Sequence, residues 1–276
     1  MLGPLEAYKQ GLINPVLVGP ENKIRAVAEA EGVDLSPFRI ESTEHSHAAA
    51  ERAVEMARAG EVESLMKGSL HTDELLSAVV SSSRGLRTAR RMSHVFVLDV
   101  PAYPRPLFIT DAAINIYPDL EVKVDIVQNA IGLARDLGIE QPKVAILSAV
   151  ETINPRIPST IEAATLCKMA DRGQITGGIL DGPLAFDNAI NQEAARTKKI
   201  VSEVAGVADI LVAPDLEAGN MMAKQLQYLA GADSAGIVLG TRVPIVLTSR
   251  ADTVRTRLAS VAVMTMVAQA RRTAAP

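Results

Sequence analysis

The sequence predicts an α/β protein with a mostly parallel sheet and crossover helices. Continuous apolar runs recur along the chain, as expected for strands that are covered on both faces. These runs are PVLVG, SHVFVLDV, LFITDA, KVAILSAV, GGILDG, DILVAPD, AGIVLG and VPIVLT. From about Ser64 onward, helical patterns separate the runs, which favours βαβ units. A chain of 276 residues exceeds the usual size of one compact core, so we expect two lobes or one large α/β domain.

Two of the intervening helices have recognisable ends. The segment DIVQNAIGLARDLGI places apolar residues such as Val127 and Ile131 on one face and ends at Gly138. The segment STIEAATLCKMADRG contains Ser159 and Glu162 at the spacing of a capping box. We therefore predict one helix that ends before Gly138 and a second that begins at Ser159.

One pair of apolar runs breaks the alternation of strands and helices. In GIVLGTRVPIVLT, Thr241 and Arg242 alone separate the two runs. A crossover to a parallel strand needs many more residues, so this pair predicts an antiparallel hairpin.

Composition narrows the classes of function. The net charge is −4, Trp is absent and aromatic residues make up 3% of the chain, so neither a basic footprint nor stacking platforms for nucleic acid are evident. The single Cys167 excludes an internal disulfide framework and fits a reducing compartment. The N-terminus lacks the apolar region of a signal peptide, and no apolar run is long enough to span a bilayer. These observations predict a cytoplasmic protein that binds neither nucleic acid nor membrane.

Motifs for common cofactors and metals are missing. No G-x-G-x-x-G follows a strand and no G-x-x-x-x-G-K-[ST] occurs. His45 and His47 offer two imidazoles without a third ligand nearby, which favours a solvated loop over a metal site. Cys167 lies among apolar helix residues, which favours a packed thiol over a nucleophile. We therefore expect no metal and no cofactor.

Acidic and amide side chains follow three of the predicted strands. Ligands of open α/β sheets gather at the carboxyl ends of strands, so polar residues there are candidates for substrate binding. The candidates are Asp111, Asp181, Asp187, Asp215 and Asn220. Each also has a structural interpretation as a helix cap or turn residue.

A further polar group follows the last predicted strand. In VPIVLTSRADTVRTRLAS, Ser249, Arg250 and Asp252 lie between the strand and a helical pattern. Ser249 is an N-cap candidate, which is the plainer interpretation. The alternative is an anion site, because a strand end and a helix N-terminus together favour negative charge.

The sequence resembles the phosphate acetyl/butyryltransferases over nearly its whole length. The resemblance rests on LMKGSLHTDELLSAV, LFITDAAINIYPDLEVKVDIVQNA, KVAILSAVETINPRIPSTIEAATLCKMADRGQITGGILDGPLAFDNAI, VAGVADILVAPDLEAGNM and VPIVLTSRAD, in family order. It implies an enzyme that interconverts acyl-CoA and phosphate with acyl phosphate and CoA, which are its substrates and products, without a cofactor. It also implies a two-lobed fold similar to isocitrate and isopropylmalate dehydrogenases, an active site between the lobes, and a homodimer or larger homo-oligomer.

The resemblance also implies lobe boundaries. Residues 1–118 and 236–276 would form a discontinuous first α/β lobe, and residues 119–235 would form the second. Two departures from the acetyl branch favour the butyryl branch or the phosphotransacylase module of longer fusion proteins. The position of an aspartate base in the acetyl branch is Thr256 here, and Leu75 and Leu76 stand where that branch has an arginine nearby. We therefore expect acyl substrates in the acetyl to butyryl range.

The roles implied for individual residues follow from the chemistry of acyl transfer. A thiol has a pKa of about 8.5, so CoA needs a base. Ser249, Arg250 and Asp252 would be catalytic: a hydroxyl suits the oxyanion, a guanidinium suits phosphate, and Asp252 is a candidate base as well as a candidate helix cap. The residues implied for substrate binding are Asp111, Asp181, Asp187, Asp215, Asn220 and Thr72.

Two other classes of function remain open from the sequence. A metal- and NAD-dependent dehydrogenase on a similar scaffold could use Asp181, Asp187 and Asp215 as oxygen ligands. A non-catalytic domain that senses acyl-CoA would bind the same ligand without turnover. Ser249 and Arg250 favour catalysis.

Overall fold

The computed structural model describes residues 2–249 and 252–273. Within these ranges the strands, in chain order, are β1 (Val16–Gly19), β2 (Arg39–Ser42), β3 (Leu65–Met66), β4 (Ser93–Asp99), β5 (Leu107–Thr110), β6 (Lys143–Leu147), β7 (Ile179–Leu184), β8 (Ile210–Val212), β9 (Asp233–Leu239) and β10 (Ile245–Val246). Every predicted apolar run overlaps a strand, whereas β2 and β3 were not predicted.

The helices pack against these strands and connect most of them. In chain order they are α1 (Leu2–Lys9), α2 (Glu21–Ala30), α3 (Ser46–Arg58), α4 (Thr72–Val79), α5 (Leu120–Asp136), α6 (Pro158–Asp171), α7 (Phe186–Ile190), α8 (Gln192–Thr197), α9 (Leu216–Leu229) and α10 (Val254–Thr273). The predicted α/β class with mostly parallel strands is confirmed. No helix of the described residues is both long and apolar enough to cross a membrane.

The chain divides into two compact units. The first contains residues 1–90 and 236–276, and the second contains residues 91–235. The boundary between residues 235 and 236 lies where we placed it. The other boundary lies between residues 90 and 91 rather than between residues 118 and 119. Residues 91–118 belong to the second unit because β4 pairs with β5, and β5 pairs with β8.

In the first unit, β10 lies between β3 and β9. It is parallel to β3 and antiparallel to β9, so the predicted hairpin is confirmed, although its loop extends over residues 240–244. A separate parallel pair is formed by β1 and β2. Because β3 and β10 are parallel, the residues that follow both strands meet at one edge.

In the second unit, the strand order is β4-β5-β8-β6-β7. The strands β5, β8, β6 and β7 are parallel, whereas β4 is antiparallel to β5. Phe108, Ile109 and Leu211 are fully buried in this sheet. Each such side chain contributes roughly 1.5–3 kcal/mol through burial. The parallel arrangement brings the carboxyl ends of four strands to one edge.

The helix α5 follows the prediction, whereas α6 does not begin as expected. Val127 and Ile131 are buried on the inner face of α5, and Gly138 follows its end with a positive φ of 94°. The predicted capping box at Ser159 and Glu162 is wrong because α6 begins at Pro158, whose fixed φ suits the first helical position. The hydroxyl oxygen of Ser159 instead lies 2.8 Å from that of Ser148, and Glu162 forms an ion pair with Lys123 of α5.

The helix α10 begins later than the sequence predicted. Its first residue is Val254, and the Thr253 hydroxyl accepts the amide proton of Thr256 at 3.1 Å. Thr253 therefore serves as the N-cap that we expected at Ser249. Farther along α10, the Ser260 hydroxyl accepts the amide of Gly236 at 3.0 Å and attaches the helix to β9.

The helix α9 approaches the end of β5 closely through Gly219. A Cβ atom added at Gly219 would lie 2.6 Å from the carbonyl oxygen of Asp111 and 3.1 Å from Cβ of Ala213. Only a residue without a side chain allows this approach.

We expect Gly219→Ala to lower the free energy of unfolding by about 1–3 kcal/mol, because the added methyl group overpacks this contact. Urea denaturation followed by circular dichroism measures the change. Gly132→Ala is the matched control, since Gly132 also lies in a helix and its added Cβ would meet nothing within 4 Å. The control should gain about 0.5–1 kcal/mol. Equal effects of the two substitutions would contradict the close approach at Gly219.

Candidate active site

Asp111 follows β5 and is almost completely buried, with 3% of its surface exposed. Its carboxylate accepts hydrogen bonds from the amides of Ala113 (3.0 Å), Ile114 (3.2 Å) and Asn115 (3.0 Å). It also accepts one from Nδ2 of Asn115 at 2.6 Å. The carboxylate therefore fixes the loop of residues 111–115, which agrees with the structural interpretation of this residue.

Asp215 and Asn220 lie at the start of α9, which follows the neighbouring strand β8. The Asp215 side chain accepts the amide of Ala218 at 2.8 Å and caps the helix. Nδ2 of Asn220 donates to the carbonyl oxygen of Ala112 at 3.0 Å. The structure thus brings the loop of Asp111 and the first turns of α9 together at one edge of the sheet.

Asp181 does not lie at the end of a strand. It lies inside β7, which continues to Leu184, and its Oδ1 accepts the amide of Gly182 at 2.8 Å. Our prediction that a strand ends at Asp181 is wrong. The Asp-Gly pair resembled turn chemistry, but here it forms part of an extended strand.

Asp187 belongs to a charged cluster that sequence reasoning did not find. Nζ of Lys198 lies 3.1 Å from Oε2 of Glu151 and 3.2 Å from Oδ2 of Asp187. The hydrogen bond to Glu151, and to a smaller extent the one to Asp187, raises the pKa of Lys198. In turn, the hydrogen bond from Lys198 lowers the pKa of Glu151. Burial opposes ionisation of Asp187, but the hydrogen bond from Lys198 and the other contacts lower its pKa overall. The cluster connects the loop that follows β6 with α7 and the end of α8.

Asn188 completes this cluster from the buried side. Its Nδ2 donates to Oε2 of Glu151 at 3.2 Å, so the amide fixes the carboxylate that Lys198 also contacts. Glu151 follows β6 by four residues. Its position after a predicted strand was the one signal in the sequence that could have identified it.

In the first unit, Lys67 follows β3 beside the end of β10. Its amide donates to the carbonyl oxygen of Val246 at 3.0 Å. The side chain is 8% exposed, and its Nζ lies 3.3 Å from the carbonyl oxygens of Gly68 and Leu70. Sequence reasoning missed this buried ammonium group, although it lies in the LMKGSLHT segment.

Thr72 is the exposed first residue of α4, close in sequence to Lys67. The amide of the preceding residue, His71, donates to Oε2 of Glu74 at 2.8 Å. Leu75 is 4% exposed and lies in the core of the first unit, whereas Leu76 is partly exposed. Of the two leucines, Leu76 is the one that a ligand could contact.

Ser249 and Asp252 are held together after β10. Oδ2 of Asp252 accepts the amide of Ser249 at 2.6 Å, and the amide of Asp252 donates to the carbonyl oxygen of Ser249 at 3.2 Å. Asp252 precedes α10 and does not cap it, so the expected capping role belongs to Thr253. Arg250 lies outside the described residues.

The histidines occupy structural positions. Nδ1 of His45 accepts the amide of Ala48 at 3.1 Å and caps α3 from an exposed bend, as the predicted solvated loop requires, whereas His47 lies inside α3. Nε2 of His47 lies 3.2 Å from Oε1 of Glu74. Among the described residues, no group of three or more His, Cys, Asp or Glu side chains is arranged to hold a metal ion.

Comparison with known proteins points to one family. Residues 44–265 match the family model described as "Phosphate acetyl/butaryl transferase". The chain is 66% identical over 272 residues to the phosphate acetyltransferase of Rhizobium meliloti, which covers 99% of this chain and 86% of that protein. It is 45% identical to the phosphate butyryltransferase of Clostridium acetobutylicum, over 95% of this chain and 87% of that protein. A branched-chain phosphotransacylase from Enterococcus faecalis superposes with a TM-score of 0.78 at 32% identity, over 85% of this chain and 84% of that chain.

Cys167 lies in α6 beside β7. Its Sγ lies 3.7 Å from the carbonyl oxygen of Gly182. Burial raises the pKa of the thiol to about 12, and the nearby charges of Asp181 and Asp171 act in the same direction. This environment agrees with the predicted packing role.

We expect native Cys167 to react with iodoacetamide at pH 8 about a thousand-fold more slowly than the same thiol in unfolded protein. At that pH a thiol with a pKa of about 12 is almost fully protonated, whereas an ordinary thiol with a pKa of about 8.5 is partly ionised. Mass spectrometry of samples quenched with and without urea gives the two rates. Similar rates would show that the thiol is accessible and ionised in the folded protein.

Proposed function

The chain belongs to the phosphate acetyl/butyryl transferase family and is a transferase, and we propose that it interconverts acyl-CoA and phosphate with acyl phosphate and CoA. One observation carries the assignment of chemistry to residues: the 2.6 Å hydrogen bond from the Ser249 amide to the Asp252 carboxylate. This bond keeps a carboxylate beside a hydroxyl-bearing residue at the carboxyl end of β10.

Asp252 acts as the general base in this proposal. A carboxylate can accept several hydrogen bonds, so the bond from Ser249 leaves capacity for a thiol proton. In the direction of acyl-CoA synthesis, the proton of the CoA thiol moves to Asp252 and the sulfur attacks the acyl carbonyl carbon. The bond between that carbon and the phosphate oxygen then breaks, and phosphate leaves with the electron pair. This direct transfer depends mainly on positioning.

The other catalytic roles belong to Ser249 and Arg250. The Ser249 hydroxyl stabilises the oxyanion of the tetrahedral intermediate. The planar guanidinium of Arg250 suits bidentate contact with phosphate, an assignment that rests on sequence and chemistry alone. The ammonium group of Lys67 shapes the neighbouring loop through its contacts with carbonyl oxygens.

Residues of the second unit contribute in two different ways. Asp111, Asp215 and Asn220 shape the loops after β5 and β8, because their side chains hold main-chain groups. Asp187 is exposed and therefore accessible to substrate. In the first unit, Thr72 is exposed as well and is accessible in the same way. Asp181 stays a candidate for substrate contact in this proposal, although it lies within β7 rather than at its end.

We propose acyl substrates from acetyl to butyryl, since the chain is similar to relatives named for each of these acyl groups. The reaction as written needs only CoA, phosphate and the acyl donor. The proposal further includes a cytoplasmic location, which we predicted from composition, and a homodimer or larger homo-oligomer, which the family resemblance implies. Light scattering of the purified protein tests the oligomer.

A CoA-release assay in phosphate buffer with acetyl-, propionyl- and butyryl-CoA tests this function directly. We expect release that depends on phosphate and a graded chain profile, because one methylene changes binding by only about 1–3 kcal/mol. Reduction of NAD in the presence of a divalent metal would favour the dehydrogenase alternative. Binding of acyl-CoA in calorimetry without any release of CoA would favour the acyl-CoA sensor.

We expect Asp252→Asn to lower kcat about a hundred-fold or more while the fold is retained. The Asn carbonyl can still accept the Ser249 amide, but it cannot take the thiol proton. Activity should recover partly as the pH rises toward the thiol pKa of about 8.5, where CoA ionises without help. Steady-state kinetics from pH 6 to pH 9 measure both effects.

Thr253→Ala is the control for this variant because it removes the observed cap of α10. It should lower the free energy of unfolding by about 0.5–2 kcal/mol and leave kcat and its pH profile unchanged. An Asp252→Asn enzyme that behaves like this control would remove Asp252 from the role of base.

A further inference from the structure

Lys67 carries a buried cation at the carboxyl end of β3. Its amide donates to the carbonyl oxygen of Val246 at 3.0 Å, so the residue lies directly beside the end of β10. Only 8% of its surface is exposed, whereas lysine is among the residue types that are seldom buried. This placement of a charge at a strand end calls for a reason beyond packing.

The ammonium group lies at the edge of the sheet where Ser249 also lies. Its Nζ is 3.3 Å from the carbonyl oxygens of Gly68 and Leu70, and both of these residues follow β3. Ser249 follows Val246 by three residues, which span at most about 11 Å. Because β3 and β10 are parallel, both groups lie at the same edge. One small substrate can therefore contact Lys67 and Ser249 together.

The carbonyl contacts of the ammonium group can be exchanged for contacts with an anion. A hydrogen bond between a cation and a charged oxygen is typically about 2.7–2.9 Å long, and both carbonyl contacts of Lys67 are longer. The two carbonyl oxygens are also uncharged, so they attract an ammonium group less strongly than a phosphate oxygen does. A phosphate group can therefore replace either contact and still satisfy the cation.

Burial makes the ammonium group an effective ligand for an anion. The attraction between two charges grows where water is excluded, because the effective dielectric constant falls. An exposed lysine side chain must also be ordered before it can hold a ligand, whereas the contacts with Gly68 and Leu70 already hold this one. Lys67 is thus preorganised at the edge that carries Ser249.

The charges that take part in the proposed acyl transfer identify the group that Lys67 would bind. When the bond between the acyl carbon and the phosphate oxygen breaks, phosphate leaves with the electron pair and its negative charge increases. The planar fork of Arg250 suits two of the phosphate oxygens, and an ammonium group suits another oxygen as a point charge. The acyl group is uncharged in both substrates, so it gives no reason for a buried cation.

We propose that Lys67 is a substrate-binding residue that holds the transferred phosphate group beside Ser249. This role rests on the proposed acyl transfer and adds a second cation to Arg250. The phosphate groups of CoA itself lie at the far end of the pantetheine arm from the reacting thiol, so the transferred phosphate is the ligand that fits this position. No covalent bond forms or breaks at Lys67, which contributes charge and hydrogen bonding.

Steady-state kinetics of Lys67→Gln, with inorganic phosphate and acetyl-CoA varied in turn, test this role. The Gln amide can still donate to the carbonyl oxygens of Gly68 and Leu70, but it carries no charge. We expect the KM for phosphate to rise about ten-fold or more, because a hydrogen bond to a charged group is lost, while the KM for acetyl-CoA stays close to that of the unmodified protein. Lys67→Arg keeps the charge and should recover most of the loss.

Arg271→Gln is the matched control, because Arg271 also holds a loop through two carbonyl oxygens. Its Nη1 lies 3.2 Å from the carbonyl oxygen of Thr241 and 2.9 Å from that of Arg242, before β10 rather than after it. The control removes the same charge from the first unit and should leave the KM for phosphate unchanged. Circular dichroism verifies that each variant is folded.

A measurement on the unmodified protein decides the matter even if Lys67→Gln does not fold. Inorganic phosphate should slow the reductive methylation of Lys67 by formaldehyde, as measured by peptide mass spectrometry. The exposed Lys23 of α2 is the internal control and should react equally fast with and without phosphate. Because this readout reports phosphate binding alone, it stays interpretable if the protein catalyses no acyl transfer.

Four results would overturn the proposal. The first is an unchanged KM for phosphate in Lys67→Gln, which would leave Lys67 with the loop alone. The second is an equal rise in Arg271→Gln, and the third is a rise in the KM for acetyl-CoA alone, which would assign Lys67 to the phosphate groups of CoA. The fourth is a lack of protection of Lys67 by phosphate. A protein that releases CoA but gives any of these results keeps the proposed function and loses only this role of Lys67.

Discussion

In the second unit, the loops at the carboxyl ends of the parallel strands β5 and β8 are held in place by one buried carboxylate, that of Asp111. Burial of a charge is costly unless hydrogen bonds replace water, and here donors from Ala113, Ile114 and Asn115 do so. Nδ2 of Asn115 also donates to the carbonyl oxygen of Met92, just before β4. With the loop fixed in this way, Ala112 can accept the hydrogen bond of Asn220 from α9. One carboxylate thus sets the positions of three chain segments.

Much of the fold could be predicted because the central strands are buried on both faces. Continuous apolar runs marked eight of the ten strands in the described part of the chain. The strand β2, Arg39–Ser42, is polar and partly exposed, and β3 has only two residues, so neither produces such a run. The antiparallel pairing of β4 and β5 was also missed, although residues 100–106 between them are too few for a crossover helix.

The candidate site was predictable where its contacts are local in sequence. Ser249 and Asp252 are three residues apart, and their proximity follows from the segment itself. The start of α10 was misplaced because Ser249 and Thr253 are both good N-cap residues, and only the geometry selects Thr253. Lys198 was missed because its partner Glu151 lies 47 residues away, a distance over which spacing carries no information.

The ion pairs of Lys198 have a consequence for how this edge responds to its surroundings. Glu151 and Asp187 receive their counter-charge from an ammonium group that is covalently part of the chain. The local concentration of this counter-ion is fixed by the backbone and does not vary with the composition of the medium. Mobile ions can weaken the attraction only by screening it. The loop after β6, α7 and the end of α8 are therefore joined by opposite charges within the chain itself, and a rise in ionic strength screens this attraction without removing the counter-charge.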